Sequence, residues 1–198
     1  MSNTLIVFAK TPEWGKVKTR LAATIGNDKA LEAYHLLLKH TEAVIAESGI
    51  PLSVYFTSKD DKQAYFSSKQ IKKHIQIAGD LGDKMKHAFQ EQFDAGHNKV
   101  VVIGTDCYEL KATHILQAFE ELENHDVLLG PANDGGYYLL GCNKFVASLF
   151  ENIPWSTDTV MQDTIAVIEE KSLTYTLLET LVDVDIEEEL GNLKTLLF

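Results

Sequence analysis

Short apolar runs alternate along the chain with stretches whose apolar residues recur at helical spacing. Thr4 to Ala9 (TLIVFA) is apolar and β-branched, which predicts a buried strand. The run breaks at Lys10. Lys10 to Thr19 (KTPEWGKVKT) carries Pro12 and Gly15, both loop punctuation, and Lys18, Thr19 and Arg20 stand at a helix start. From Asn27 onward Leu31, Tyr34, Leu38, Thr41 and Ile45 follow a helical period, with Asn27 or Asp28 available as a cap. Gly49 and Pro51 end the run.

The strand–helix unit then repeats. Leu52 to Thr57 reads as a strand, Asp60 to Ser68 as a short helix and His74 to Ala78 as another strand. A Gly-Asp-Leu-Gly loop leads into a helix through Met85, Ala88, Phe89 and Phe93. Lys99 to Gly104 (KVVVIG) has consecutive aliphatics without alternation, the pattern of a strand buried on both faces of a parallel sheet. A helix through Ile115, Phe119 and Leu122 follows. Strands at Asp126 to Gly130 and Gly136 to Cys142 lie too close in sequence for a helical crossover, so this pair is expected to be antiparallel. Thr157 is placed to cap a helix bearing Val160, Met161, Thr164, Ile165 and Ile168. Thr174 to Glu179 reads as an edge strand and Glu187 to Leu196 as a terminal helix.

Strands alternating with helices predict an α/β fold: a three-layer, Rossmann-like, mostly parallel sheet with helices on both faces. No linker, repeat or low-complexity segment interrupts residues 1–198, so one domain is expected. In such sheets ligands bind beyond the carboxyl ends of the strands. The loops after each strand are therefore where chemistry is to be sought.

Composition narrows the partners. The 45% hydrophobic and 24% charged fractions are those of an ordinary globular protein. No apolar run approaches a bilayer span, and the first strand lacks the cationic leader of a signal peptide, so a cytoplasmic protein without a membrane span is expected. Cys107 and Cys142 have no metal-type spacing and fit a reducing compartment, and the scattered histidines disfavour zinc. A net charge of −11 argues against nucleic acid. Yet Lys10, Lys16, Lys18 and Arg20 crowd one loop with only Glu13 opposing them, which points to a small anionic ligand.

Five segments carry candidate chemistry. Phe8 to Leu21 combines a strand end, Gly15 and cations at a helix start, a plausible phosphate cradle; a solvated basic loop is the alternative. It matches neither the glycine-rich loop of NTPases nor the dinucleotide fingerprint. Val100 to Leu110 delivers Asp106 to the end of the most buried strand, where a carboxylate needs a cation or donors. A turn or cap role is the alternative for Asp106, and Glu109 could simply sit in the turn. In Leu128 to Gly141, Asp134 precedes Gly135 and Gly136; this is a hairpin signal that could still present Asp134 to a substrate. Pro154 and Trp155 read first as structural, with an acceptor cover as the other reading. Asp183 and Asp185 alternate on one side of an extended segment and repel unless a cation lies between them; Asp185 as a helix cap is the alternative.

Together these segments, F-A-K-x-P-x-x-G-x-V-K-T-R-L, G-D-L-G, G-T-D-C, G-P-A-x-D-G-G-Y-Y-L-L-G, P-W-S-T and D-V-D, occur in one order over nearly the whole chain. The chain thereby resembles an uncharacterised bacterial family described as glycosyltransferase-like, with the glycosyltransferase A-type fold of the nucleotide-diphospho-sugar transferase superfamily. That resemblance implies a nucleotide or nucleotide-sugar donor and a divalent cation, Mg²⁺ or Mn²⁺, held by aspartate. It implies that Asp106 ligates the metal or contacts the ribose; G-T-D-C-Y-E is not a strict D-x-D, so a second ligand has to come from elsewhere, with Asp134 or Asp183 and Asp185 as candidates. Nucleotide binding is expected around Ala9, Lys10, Gly15, Lys18, Arg20, Asp80 and Thr105, and catalytic roles for Asp106, Asp134 and Lys18. Tyr108 stands where relatives often have proline, and Lys84 where arginine is common, which forfeits a bidentate phosphate contact.

The expected function is a metal-dependent transferase using a nucleotide-activated donor, foremost a glycosyltransferase acting on a nucleoside diphosphate sugar. The loop has only Gly15 to wrap phosphates, which leans away from the alternative, a nucleotidyltransferase releasing pyrophosphate. A non-catalytic nucleotide-binding module is a reading of another class. Base, sugar, acceptor and oligomeric state are not specified by the sequence.

Overall fold

A computed structural model describes residues 2–58, 65–68 and 71–198. Among these residues seven strands form one sheet: β1 (Asn3–Ala9), β2 (Leu52–Phe56), β3 (Lys72–Ile75), β4 (Lys99–Ile103), β5 (Val127–Pro131), β6 (Tyr137–Cys142) and β7 (Tyr175–Leu177), in the order β3-β2-β1-β4-β6-β5-β7. All neighbours are parallel except β6, which runs antiparallel to both β4 and β5. The short Asp-Gly-Gly connection dictates that reversal, as its length predicts.

Among the described residues six α-helices accompany the sheet: α1 (Thr19–Ile25), α2 (Asn27–Ser48), α3 (Leu81–Asp94), α4 (Ala112–Glu121), α5 (Val160–Glu170) and α6 (Lys194–Leu197). The pleat of β1 and β4 divides the core in two. Leu5, Val7, Val101 and Ile103 face a layer with Leu21, Leu37, Leu38 and Ile115 from α1, α2 and α4. Ile6, Val100 and Val102 face the other layer, with Met85, Phe89 and Ile168 from α3 and α5. Each such aliphatic contributes about 1.5–3 kcal/mol of transfer free energy, and burial on both faces explains why β4 reads as an unbroken aliphatic run. Among the described residues no helix is long and apolar enough to cross a membrane.

Four local expectations are corrected. The third strand is Lys72–Ile75 rather than His74 to Ala78, because its register against Ser53–Phe56 ends at Ile75. Thr157 does not cap α5; its hydroxyl donates to the Pro154 carbonyl at 2.7 Å, and the helix begins at Val160 behind Thr159. Neither Asn27 nor Asp28 is the cap of α2, where Gly26 takes that position. The terminal helix breaks into two 3₁₀ turns, Glu187–Glu189 and Gly191–Leu193, ahead of the four-residue α6. Glu189 turns back to accept from the Asp185 and Ile186 amides, and Gly191 adopts φ 48°, so one continuous helix cannot form. The helix expected from Asp60 lies largely outside the described residues, and Tyr65–Ser68 are not helical.

Candidate active site at the carboxyl rim of the sheet

β1 and β4 are parallel neighbours whose chains leave toward opposite edges of the sheet, so the loops after them open a crevice at a topological switch point. The loop after β1 is pinned from α2. The Tyr34 hydroxyl accepts from the Lys10 amide at 2.8 Å, donates to the Lys10 carbonyl at 2.9 Å and lies 3.3 Å from Thr105 Oγ1. Burial, with the Asp106 charge nearby, raises the Tyr34 pKa and keeps the hydroxyl protonated. Thr11 ties the same loop to the end of β2 through its amide to Thr57 Oγ1 (3.0 Å) and its hydroxyl to the Ser58 carbonyl (3.0 Å).

Lys18 sits at the N-cap of α1 in the left-handed conformation, φ 47°, and its side chain is only 4% exposed. Its Nζ lies 2.7 Å from Asp106 Oδ1 and 3.2 Å from Asp185 Oδ1. Arg20 Nη1 reaches the other Asp185 oxygen at 3.1 Å. Burial works against the Lys18 charge, but the two carboxylates outweigh it and hold the pKa above its ordinary value. The cation that Asp183 and Asp185 require between or beside them is thus partly supplied by the chain itself.

The segment bearing those aspartates is stitched between two loops. The Val184 amide donates to the Asp106 carbonyl at 2.9 Å, the Val182 amide to Glu109 Oε2 at 3.0 Å, and the Asp183 amide to Asn133 Oδ1 at 3.2 Å. Glu109 and Asn133 therefore position backbone. Asp183 has no hydrogen-bond or ion-pair partner for its carboxyl among the described residues. Burial, then the negative charge of Asp106, pushes its pKa up to about 7, with Lys18 opposing and Asp134 and Asp185 adding to the rise. Across the crevice Asp134 accepts from the Gly136 amide at 2.9 Å, the turn that its Asp-Gly-Gly sequence predicts.

These loops enclose a cleft of about 740 Å³ lined by Ala9, Lys10, Arg20, Thr105, Asp106, Asp134, Asp183 and Asp185. Lys18 lines an adjoining recess of about 130 Å³ with Arg20, Asp106 and Asp185. The sequence belongs to relatives of known shape. A family model described as "Uncharacterized protein conserved in bacteria (DUF2064)" matches residues 38–157, more than half of the chain. A crystal structure from Desulfovibrio desulfuricans G20, described as a candidate nucleotide-diphospho-sugar transferase, is 34% identical. The match covers 94% of this chain and 84% of that one, with a TM-score of 0.87.

The chain belongs to this bacterial family.

More distant members of the fold are the Mycobacterium tuberculosis H37Rv protein Rv0371c in complex with manganese (12% identity, 98% of both chains, TM-score 0.62) and the 4-diphosphocytidyl-2C-methyl-D-erythritol synthase of Anaerococcus prevotii (10% identity, 99% and 98% covered, TM-score 0.64). At those identities the likeness shows the fold alone, that of nucleotide-diphospho-sugar transferases. No curated protein matches the sequence.

In this family member, two of the residues expected to bind nucleotide stand apart from the cleft lining. Asp80 is engaged as the N-cap of α3: its carboxylate accepts from the Asp83 amide at 2.8 Å, and Asp83 reaches back to the Asp80 amide at 3.3 Å. Gly15 holds a positive φ of 72° with open space around it. Other lining residues were not singled out for the site in the sequence, among them Tyr34, Gln76, Leu81 and Met85. Tyr34 reads as a core position of an amphipathic helix, and nothing in one dimension reveals where its hydroxyl goes. Trp155, read first as structural, also lines the cleft.

No three His, Cys, Asp or Glu side chains among the described residues are grouped closely enough to hold an ion unaided. Magnesium, however, usually takes one or two carboxylates and completes its shell with water and phosphate oxygens. The acidic residues fit that demand. Lys18 takes only one oxygen of Asp106, and Asp183 is an unpartnered carboxyl crowded by negative charge. Asp106 and Asp183 could hold a divalent ion, with Asp185 committed to Lys18 and Arg20.

Proposed function

We propose that this chain is a divalent-metal-dependent transferase that moves a sugar from a nucleoside diphosphate sugar to an acceptor hydroxyl. One observation carries the reading: Asp106, Asp183 and Asp185 converge with Lys18 and Arg20 at the switch-point crevice, although they come from three distant stretches of sequence. Carboxylates alone would repel a diphosphate. A bound Mg²⁺ or Mn²⁺ would neutralise phosphate charge as it develops on the leaving group. The description of the 34%-identical relative and the manganese in the more distant Rv0371c complex both support this reading.

The chain's own residues have separable roles in it. Tyr34 holds the Lys10 turn against Thr105, so that backbone and the Lys10 ammonium face the phosphates. Lys18 and Arg20 orient Asp106 and Asp185. Asp134 faces the acceptor, where it can take the hydroxyl proton as the acceptor oxygen bonds to the sugar's anomeric carbon. The electron pair of the broken carbon–oxygen bond leaves with the nucleoside diphosphate. Among the described residues the cleft lysines Lys10 and Lys84 meet no carboxylate, a complement better suited to a diphosphate than to a triphosphate.

Product analysis tests the assignment. Incubation with a panel of nucleoside diphosphate sugars and Mn²⁺ should release a nucleoside diphosphate, and nucleoside triphosphates should give no pyrophosphate. Pyrophosphate release would instead establish nucleotidyl transfer. Asp106→Asn should lower turnover by roughly 10²–10³, the scale of losing one charge-stabilising group, with the fold intact by circular dichroism. A fully active Asp106→Asn enzyme would remove Asp106 from the reaction.

A further inference from the structure

One wall of the cleft is built from the β5–β6 turn and the loop at residues 154–160. Its lining includes Tyr137, Trp155, Ser156, Thr157 and Asp158, without a lysine or arginine from those two elements. The loop is held hard against its neighbours. A methyl group on Gly82 of α3 would lie 2.2 Å from Trp155 Nε1 and 2.4 Å from the Phe150 carbonyl, and one on Gly135 only 2.1 Å from the Asp158 carbonyl. The Met161 amide donates to the Gly135 carbonyl at 2.9 Å, and Thr157 Oγ1 to the Pro154 carbonyl at 2.7 Å. Ser156 holds φ 67°, a conformation that L residues rarely adopt. Tyr137 meets the Trp155 ring edge-on, centroids 6.5 Å apart at 88°. Trp155 is therefore a fixed, partly exposed aromatic surface in a cleft that Ser156, Thr157, Asp134 and Asp158 also line.

We infer that Trp155 and the 154–160 loop form an acceptor subsite for an uncharged, hydroxyl-bearing ring, a sugar or cyclitol. A rigid indole accepts the apolar face of such a ring, while carboxylates and hydroxyls take its equatorial hydroxyls. Asp134 and Asp158 weigh against a phosphorylated ring on this wall, since like charges facing each other across a site are destabilising, although Lys84 of α3 also lines the cleft. The assignment of this wall to the acceptor rests on the transferase reading; the ring-binding property itself does not.

Saturation-transfer NMR with methyl α-D-glucopyranoside, methyl α-D-mannopyranoside, myo-inositol and glucose 1-phosphate tests it, with UDP and GDP plus Mn²⁺ run in parallel. At least one neutral ring should receive saturation, with glucose 1-phosphate weaker. Trp155→Ala should bind that ring about tenfold more weakly while Trp155→Phe retains most of the affinity. Because the chain has two tryptophans and Trp14 is exposed and outside the cleft lining, Trp14→Phe leaves Trp155 as the sole tryptophan, which can be excited selectively over the tyrosines. Its emission should change saturably with the same ring, a readout that does not depend on the alanine variant folding. No transfer to any neutral ring, or equal transfer in folded Trp155→Ala, overturns the subsite. Nucleotide binding without ring binding leaves the transferase reading standing and the subsite refuted. Ring binding without nucleotide binding does the reverse.

Discussion

Replacing Lys18 by methionine keeps the length of the side chain and removes its charge. Lys18 Nζ stands 2.7 Å from Asp106 and 3.2 Å from Asp185, and its side chain is 4% exposed while theirs are 38% and 31% exposed. Breaking a fully buried ion pair costs about 3–5 kcal/mol. Water still reaches roughly a third of each carboxylate and screens it, so a loss of about 2 kcal/mol is expected. That corresponds to about 4–8 °C in melting temperature for a chain of this size. The same change should tighten the metal site. Two unit charges about 4 Å apart interact by about 4 kcal/mol at an effective dielectric near 20, so an ammonium at that range opposes a divalent ion by up to about 8 kcal/mol; with screening by water and by the carboxylates between them, roughly 1.4–2.8 kcal/mol is expected to remain, a tenfold to hundredfold gain in Mn²⁺ affinity. Urea denaturation without metal and calorimetric titration with Mn²⁺ measure the two effects. Unchanged Mn²⁺ affinity together with unchanged stability would show that Lys18 is not the standing countercharge of this site.

Two further perturbations probe neighbouring features. Asp183, held up to about 7 by burial and by Asp106, keeps its proton in the folded state at pH values where an unfolded carboxyl has lost it. Its contribution to stability is therefore full below about pH 4 and is lost as pH rises through 7. A metal ion must displace that proton, so Mn²⁺ affinity should fall by about tenfold per pH unit below 7 and level off above it. Calorimetry between about pH 5.5 and 8 checks this, and a flat profile would contradict it. Gly82→Ala places a methyl group against Trp155 and the Phe150 carbonyl, an overpacking expected to cost about 1–3 kcal/mol and to shift Trp155 emission in a Trp14→Phe background; an unchanged spectrum would mean that the indole is not fixed by α3.

How much of this was legible in sequence follows the range of the interactions. Strands such as Lys99–Ile103 declare themselves, because burial on both faces leaves no polar position. The antiparallel β5–β6 pair follows from the length of its connection, and Asp106 and Asp134 from their places after strands. Three-residue β7 was read twice as long, since an edge strand pairs only where β5 offers carbonyls and amides. The terminal segment shows helical apolar spacing at Leu190, Leu193 and Leu197, but Glu189 is drawn to two amides and Gly191 turns the chain. Nothing local tells that Lys18 joins Asp106 and Asp185, or that Tyr34 clasps Lys10. Those contacts exist only because β1 and β4 are neighbours and the segment at 181–185 bridges to the loops after β4 and β5. Asp80, expected to bind nucleotide, is instead engaged as the cap of α3, a role that its Asp-x-x-Asp spacing could have disclosed.

The central claim is that a divalent ion ties a nucleotide's diphosphate to Asp106 and its companions. Melting temperature measured with nucleoside diphosphates and their sugars, with Mn²⁺ and with EDTA, addresses it directly, since a ligand bound only to the folded state raises that temperature with occupancy. At least one nucleotide should stabilise the protein with Mn²⁺ and not with EDTA, and Asp106→Asn should abolish the increment. Stabilisation that EDTA leaves intact would identify a metal-independent nucleotide-binding module, and no stabilisation by any nucleotide would contradict the account altogether.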